Sequence, residues 1–371
     1  MDKILDNWHY ARPELAKSYL GLFKLGLTSA RAIFARRRMG KTEFLKKDLI
    51  PEAIKQGYLA VYVNLWDLEN DPATAITCEL FKAIEPKGFN KLLANIKPPI
   101  NKIKATGKIP LLAEASLEAG ISNNKEILGT LLMQAMSAFD KKNKKLVLII
   151  DEAQVLAYQE NIKFAQALRS ALDIRKEYIK VIFAGSSEST LRRMFGIASE
   201  PFYNWAPLEP FQLLDEGFVA FIVDRVKQIC KYPLSLDDAM FTFKELKNTP
   251  EFFRRYVEQY LTDPQAGSKY ALTITKQNLF NDDSFQRQWN ILLEQDKIIL
   301  YFIANGTNNL FDKENIGKLG NYFKKPKKLY KNIINNSLRR LTTKNILTKI
   351  EFSNYQFEDL AFEDWVKYQT L

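Results

Sequence analysis

Residues 30–49 read Ala30-Arg31-Ala32-Ile33-Phe34-Ala35-Arg36-Arg37-Arg38-Met39-Gly40-Lys41-Thr42-Glu43-Phe44-Leu45-Lys46-Lys47-Asp48-Leu49. A short β-type run ends at Phe34, and a helical pattern begins at Glu43. Between them, Ala35 to Thr42 has the spacing of a phosphate-binding loop, G-x-x-x-x-G-K-[ST], with alanine at the first position. The residue types suit that chemistry. A loop that wraps a triphosphate turns its backbone N–H groups toward phosphate oxygens, and Gly40 keeps that backbone free of a Cβ. The helix that follows adds its N-terminal dipole. Lys41 would reach the β and γ phosphates and the Thr42 hydroxyl would ligate magnesium. The loop from Ala35 through Arg36, Arg37, Arg38, Met39, Gly40, Lys41 and Thr42, with Glu43, is the expected contact set for ATP and Mg2+.

Working outward, a second apolar run, Leu146 to Ile150, delivers Asp151 and Glu152 at its C-terminal end. Phosphoryl transfer to water needs one carboxylate for the magnesium shell and a second group to orient the attacking water. Asp151 suits the first role and Glu152 the second. A third run, Val181 to Ala184, ends in Gly185-Ser186-Ser187, so Ser186 or Ser187 is placed to sense the γ-phosphate, unless the pair merely turns the chain. With Ala30 to Phe34 and Tyr58 to Leu65, these runs are short, apolar and followed by polar or glycine residues, as buried parallel strands are. The fold class is α/β, a P-loop domain with a central parallel sheet. Residues 99–121, interrupted by Pro99, Gly107, Pro110 and Gly120, read as an inserted hairpin or loop.

From Leu213 to Leu261 helical periodicity takes over. Phe218, Phe221, Ile222 and Val226 share one face, and Thr249-Pro250-Glu251 opens a helix that Asp263-Pro264 closes. Past Gln286 come three more helical patterns and two short β-type stretches, Leu347 to Phe352 and Tyr355 to Phe357. The expected domains are an N-terminal helical segment over 1–29, the P-loop domain over 30–212, a helical lid over 213–285 and a winged helix over 286–371.

Composition limits the rest. The chain has 371 residues, 46% hydrophobic and 26% charged, globular values that exclude disordered, collagenous and coiled-coil classes. A single histidine, His9, rules against a Ser-His-Asp triad or a multi-histidine metal site. Two distant cysteines, Cys78 and Cys230, form no disulfide framework and suit a reducing cytoplasm. No basic leader and no stretch near ~18 apolar residues is seen, so no membrane partner is expected. The net charge is +11, of which residues 316–350 carry +10 with no acid, against −4 over 351–371. That local basicity is either a surface for a polyanion such as duplex DNA or a lysine-rich solvated face.

Arg37-Arg38-x-Gly40-Lys41-Thr42, Asp151-Glu152-Ala153-Gln154, Gly185-Ser186-Ser187 and Leu208-Glu209-Pro210-Phe211 together resemble the archaeal-type ATPases, P-loop ATPases related to AAA+ and origin-recognition ATPases, many with a C-terminal winged helix. The resemblance spans essentially the whole chain. It implies a sheet in which the Asp151 and Ser186 strands lie near the phosphate-loop strand, a helical lid over the nucleotide and ATP-driven switching. Two positions depart from the pattern. Ala35 replaces glycine, and Pro201-Phe202-Tyr203-Asn204-Trp205 lacks the arginine that relatives place before Leu-x-Pro-Phe. Arg192 or Arg193 could instead reach a neighbouring subunit's nucleotide, and Arg254 or Arg255 the γ-phosphate. Adjacent helical residues point apart, so one of each pair at most would act, and a solvated surface is the alternative for both. Trp8, His9 and Tyr10 would flank an adenine ring or pack in an N-terminal helix.

Three functions compete: a hydrolysing ATPase, a nucleotide-gated binding module with little turnover, and a P-loop kinase. Glu152 argues against the kinase, which would waste its phosphoryl group on activated water. The first two share every residue, and a protein partner or self-association fits either.

Overall fold

The computed structural model describes residues 8–68, 71–84, 125–141, 144–280, 283–307, 309–323, 326–351 and 354–370. The inserted hairpin expected at 99–121 lies outside them. Contacts divide the chain into two compact units, one of Ala11–Ala35 with Lys41–Phe211, the other of Gln212–Leu371 with Arg36–Gly40 and residues 8–10.

The first unit is α/β. Helix α1 (Pro13–Lys24) precedes β1 (Ala30–Phe34), and α2 (Lys41–Phe44) continues through a π-helical turn (Leu45–Leu49) into α3 (Ile50–Lys55). The widened turn has a local cause. Pro51 has no N–H to give Lys47 and its ring crowds that carbonyl, and the helix accommodates it with an Ile50 N–H bonded to Leu45 O, five residues back. Then come β2 (Leu59–Asn64), α4 (Pro72–Ile84), α5 (Lys125–Asp140), β3 (Leu146–Asp151), α6 (Ile162–Asp173), β4 (Ile179–Gly185), α7 (Glu188–Gly196) and β5 (Leu208–Pro210).

All neighbouring strands are parallel, in the order β2-β3-β4-β1-β5. Strand β4 therefore stands between the phosphate-loop strand and the Asp151 strand. Every residue of β3 and of β4 is buried, which accounts for their unbroken apolar runs. Strand β5, three residues long, carries too little pattern to be read as a strand from sequence. Register pairs Asn64 with Asp151 and Phe34 with Gly185, so the chemistry-bearing tips emerge at one edge.

Beside the sheet, Phe183 meets Phe195, Phe202 and Trp205 at centroid distances of 5.3, 5.1 and 5.7 Å. Trp205 also donates its indole N–H to Asp173 and lies under the Arg169 guanidinium. The segment 201–205 is a packing element.

The second unit is helical: α8 (Glu216–Ile229), α9 (Leu236–Glu245), α10 (Pro250–Thr262), α11 (Gly267–Phe280), α12 (Asp283–Asn290), α13 (Glu294–Ala304), α14 (Lys313–Phe323) and α15 (Tyr330–Thr343). The antiparallel hairpin β6 (Leu347–Glu351) and β7 (Asn354–Phe357) follows, then α16 (Leu360–Lys367). Pro250 sits in the first turn of α10, as expected, although Thr249 makes no side-chain cap. Helix α16, absent from the sequence reading, starts where Asp359 accepts from Ala361 and Phe362 N–H. Helices α13, α14 and α15 with the hairpin resemble a winged helix. An ion pair on a buried carboxylate ties α13 to α15: Asp296, 1% exposed, takes two bonds from the half-buried Arg340, at 2.6 and 3.1 Å.

Phe183→Ala removes the ring shared by the sheet and the aromatic cluster. Chemical denaturation is expected to show a loss of about 3–5 kcal/mol, and a loss below about 1 kcal/mol would show that the cluster is not continuous with the core.

Candidate active site

The loop from Ala35 to Gly40 makes its left-handed turns at Arg38 (φ 69°) and Gly40 (φ 79°). Ala35 has no positive φ, so alanine at the first position is unstrained. It is buried, and its N–H donates to Gly185 O at 3.3 Å. Arg36 and Arg38 of the loop turn to residues of the unit they group with. Arg36 donates to Gln356, and Arg38 pairs with Asp359 at 3.3 Å, with its guanidinium 5.1 Å over Phe252.

Lys41 opens α2 and is 6% exposed. Its ammonium lies 3.5 Å from Asp151 Oδ1 and 4.0 Å from Glu152 Oε1. A buried charge needs such partners, and here the partners are the two carboxylates of the β3 tip. Adjacent residues of a strand face opposite ways. Glu152 escapes this rule by adopting φ 55°, ψ 42°, a left-handed turn costing about 1–3 kcal/mol that brings both carboxylates to one lysine.

Each carboxylate is further held. Asp151 Oδ2 accepts from the Thr42 hydroxyl at 2.7 Å and the Tyr62 hydroxyl at 2.9 Å, while Oδ1 accepts from Glu152 N–H at 3.1 Å. Glu152 Oε2 accepts from Gln154 Nε2 at 2.6 Å and from Ser186 Oγ at 2.9 Å. Ser187 points elsewhere, donating to Thr190, so of the two candidate serines Ser186 faces the site. Burial, then the charge and hydrogen bond of Asp151, push the Tyr62 phenol above its ordinary pKa, so it remains a donor at physiological pH.

The oxygen donors of Thr42 and Asp151 fit magnesium, which takes one or two protein oxygens and completes its shell with phosphates and water. No group of three or more histidine, cysteine, aspartate or glutamate side chains placed to hold a metal occurs among the described residues.

The candidate arginines separate. Arg192 is half exposed, paired only locally with Glu188 and lying beside Phe34. Arg193 is committed to its own fold through Ala157 O at 2.7 Å and Glu200 at 3.3 Å. Arg254 and Arg255 are exposed on α10, Arg255 paired with Glu251. Both line a groove of their own unit with Trp8 and Ile222. Tyr10 packs on Phe218 and Phe221, and residues 8–10 precede α1 rather than belong to a helix.

Tyr62 and Gln154 went unassigned in the sequence reading. Tyr62 lies two residues before the tip of β2, and only the adjacency of β2 and β3 brings its long side chain to Asp151. Gln154 follows Glu152 by two residues, but its orientation depends on the left-handed turn. Gly185 leaves room for it, since a Cβ there would stand 2.3 Å from Gln154 Oε1 and 2.9 Å from Leu191. Gly185→Ala is therefore expected to push Gln154 off Glu152 and to lower the melting temperature by several degrees. An unchanged melt and unchanged nucleotide turnover would show that this close packing is dispensable.

Residues 39–189 match the family model described as the KAP family P-loop domain. Among solved structures, the Walker-type ATPase PABY2304 of Pyrococcus abyssi matches with a TM-score of 0.62 at 17% identity, over 96% of this chain and 95% of that one. The Aeropyrum pernix ORC2 protein, in its ADPNP-ADP complexes, matches with a TM-score of 0.58 at 14% identity, over 98% of each chain. Among curated protein sequences none matches. No helix among the described residues is long and apolar enough to cross a membrane. Its phosphate loop, its Asp-Glu strand tip and the strand interposed between them belong to an α/β P-loop fold that the chain shares with these two archaeal proteins.

Proposed function

We propose that the chain binds Mg-ATP at the 35–42 loop and hydrolyses it, and that the nucleotide state drives a conformational switch. The convergence of Glu152 and Asp151 on Lys41 carries this reading. A triphosphate in the loop offers Lys41 a new counter-charge, which frees Glu152 Oε1 for a water. Ser186 and Gln154 keep the other oxygen fixed, so the carboxylate can orient that water and take its proton as the oxygen attacks the γ-phosphorus and the bond to the β-phosphate oxygen breaks. Magnesium, when bound through Thr42 and the Asp151 shell, supplies charge neutralisation on the phosphates. The neighbouring ORC2 structure, solved with ADPNP and ADP, supports adenine nucleotides as ligands.

Lys41→Ala should abolish ATP binding in a calorimetric titration, and retained affinity would remove the assignment. Glu152→Gln should bind ATP while phosphate release falls roughly 10²-fold or more. Wild-type turnover in that variant would place the base elsewhere. Turnover of the lone protein is expected to be slow, because the arginine that commonly neutralises transition-state charge would come from a neighbouring copy, and Arg192, paired with Glu188 of its own helix rather than with another element, is the better placed of the 192–193 pair to supply it.

The C-terminal winged helix is proposed to bind duplex DNA. Helix α15 buries Ile334, Leu338 and Leu341 and exposes Lys331, Asn332, Asn335 and Arg339, with Lys327 and Lys328 exposed just before it. Cations for phosphates and amides for adenine edges on one free helix face are what groove entry requires. Replacing Lys327, Lys328, Lys331 and Arg339 by glutamine should flatten the log–log dependence of DNA affinity on salt by about 3.6 units if all four meet phosphates. Absence of binding by the wild type at low salt would assign the face to a protein partner.

A further inference from the structure

We infer that Tyr62 is a positioning residue for the magnesium-side carboxylate: its hydroxyl, 2.9 Å from Asp151 Oδ2, fixes the rotamer in which that carboxylate meets the metal's water shell. The inference rests on the reading of Asp151 and Thr42 as the metal side of a nucleotide site.

The argument starts from what Asp151 lacks. Its side chain ends a buried strand at 1% exposure, where water cannot supply the donors that an ionised carboxylate needs. Four protein groups meet it. Two of them, Lys41 at 3.5 Å from Oδ1 and Thr42 at 2.7 Å from Oδ2, have further duties when nucleotide binds: the lysine turns to phosphates and the hydroxyl oxygen to the cation. The Glu152 N–H is set at Oδ1 by the adjoining peptide. Tyr62 is the remaining group, and it has no duty toward nucleotide. Its hydroxyl approaches from β2, on the far side of β3 from β4. Its ring is held by Lys46, whose ammonium lies 4.6 Å from the ring centroid. Tyr62 is thus a fixed neutral donor that keeps Oδ2 occupied through the cycle. Oriented outer groups of this kind typically govern metal affinity by roughly 10–100-fold.

The test separates metal affinity from nucleotide affinity. With a fluorescent ATP analogue, affinity is measured in EDTA and in excess Mg2+, and Mg2+ alone is titrated at fixed analogue. In Tyr62→Phe, which keeps the ring and its packing, the Mg2+ midpoint should rise roughly tenfold or more while affinity in EDTA stays within twofold. Tyr62→4-aminophenylalanine, which restores a donor at the same place, should recover the wild-type midpoint, and it also serves if the phenylalanine variant folds poorly. In an Asp151→Asn background, Tyr62→Phe should add little, because its effect passes through that carboxylate.

An unchanged midpoint in Tyr62→Phe overturns the inference, as does an equal loss of affinity with and without Mg2+, which would mark a merely structural tyrosine. If Lys41→Ala and Asp151→Asn also leave nucleotide and Mg2+ binding unchanged, the site reading itself fails. If they respond and Tyr62→Phe does not, only the role of Tyr62 falls.

Discussion

A lysine ammonium that is 6% exposed can persist in a folded protein only if negative charge is brought to it, and at Lys41 that requirement organises the surrounding structure. The carboxylates come from a strand two places away in the sheet, so β4 must lie flat between β1 and β3. The tips must end level, and Glu152 must take a left-handed backbone to face the same way as Asp151. Each step has a cost in strain or burial. The fixed polar groups around the two carboxylates, from Tyr62 and Thr42 on one side and from Gln154 and Ser186 on the other, return part of it as charge-assisted hydrogen bonds, the stronger kind in proteins.

This arrangement is poised rather than complete. Lys41 sits between two anions at 3.5 and 4.0 Å, distances at the long end of an ion pair, and a polyphosphate could out-compete them without moving the backbone. Pre-organised dipoles and charges that need no rearrangement are the main resource by which enzymes stabilise developing charge. The rigid part here is the β3 and β4 pair, buried along its whole length, which keeps the strand tips from drifting.

Much of this was legible in the chain. The apolar runs at 30–34, 58–65, 146–150 and 181–184 fall on four of the five strands of the parallel sheet; β3 and β4, buried along their whole length, need no polar alternation to mark them. The loop from Ala35 to Thr42, the Asp151-Glu152 pair and the Ser186-Ser187 pair stand out by residue type and spacing, while the choice of Ser186 over Ser187 needed the structure. Strand order does not, since nothing local says that β2 pairs with β3, and so Tyr62 stayed unseen until the register was known. Orientation was equally hidden. Arg192 and Arg193 are indistinguishable as a dipeptide, yet one pairs with Glu188 of its own helix while the other is drawn to Ala157 O and Glu200. Helix α16 escaped because it is eight residues long and its start depends on a single aspartate cap.

The aromatic cluster has an optical consequence. Trp205 lies edge-on to Phe183, two residues before the Gly185-Ser186 tip, with its indole N–H on Asp173 and a guanidinium over its ring. Indole emission responds to nearby charge and to the polarity around the ring, so a shift of the β4 tip would be transmitted to a natural fluorophore one packed ring away. The two tryptophans of the C-terminal unit that meet each other, Trp289 and Trp365 at 5.8 Å, are close enough to exchange excitation. A chain in which tryptophans other than Trp205 are replaced by phenylalanine would thus carry an intrinsic spectroscopic gauge of its β4 tip, without any attached label.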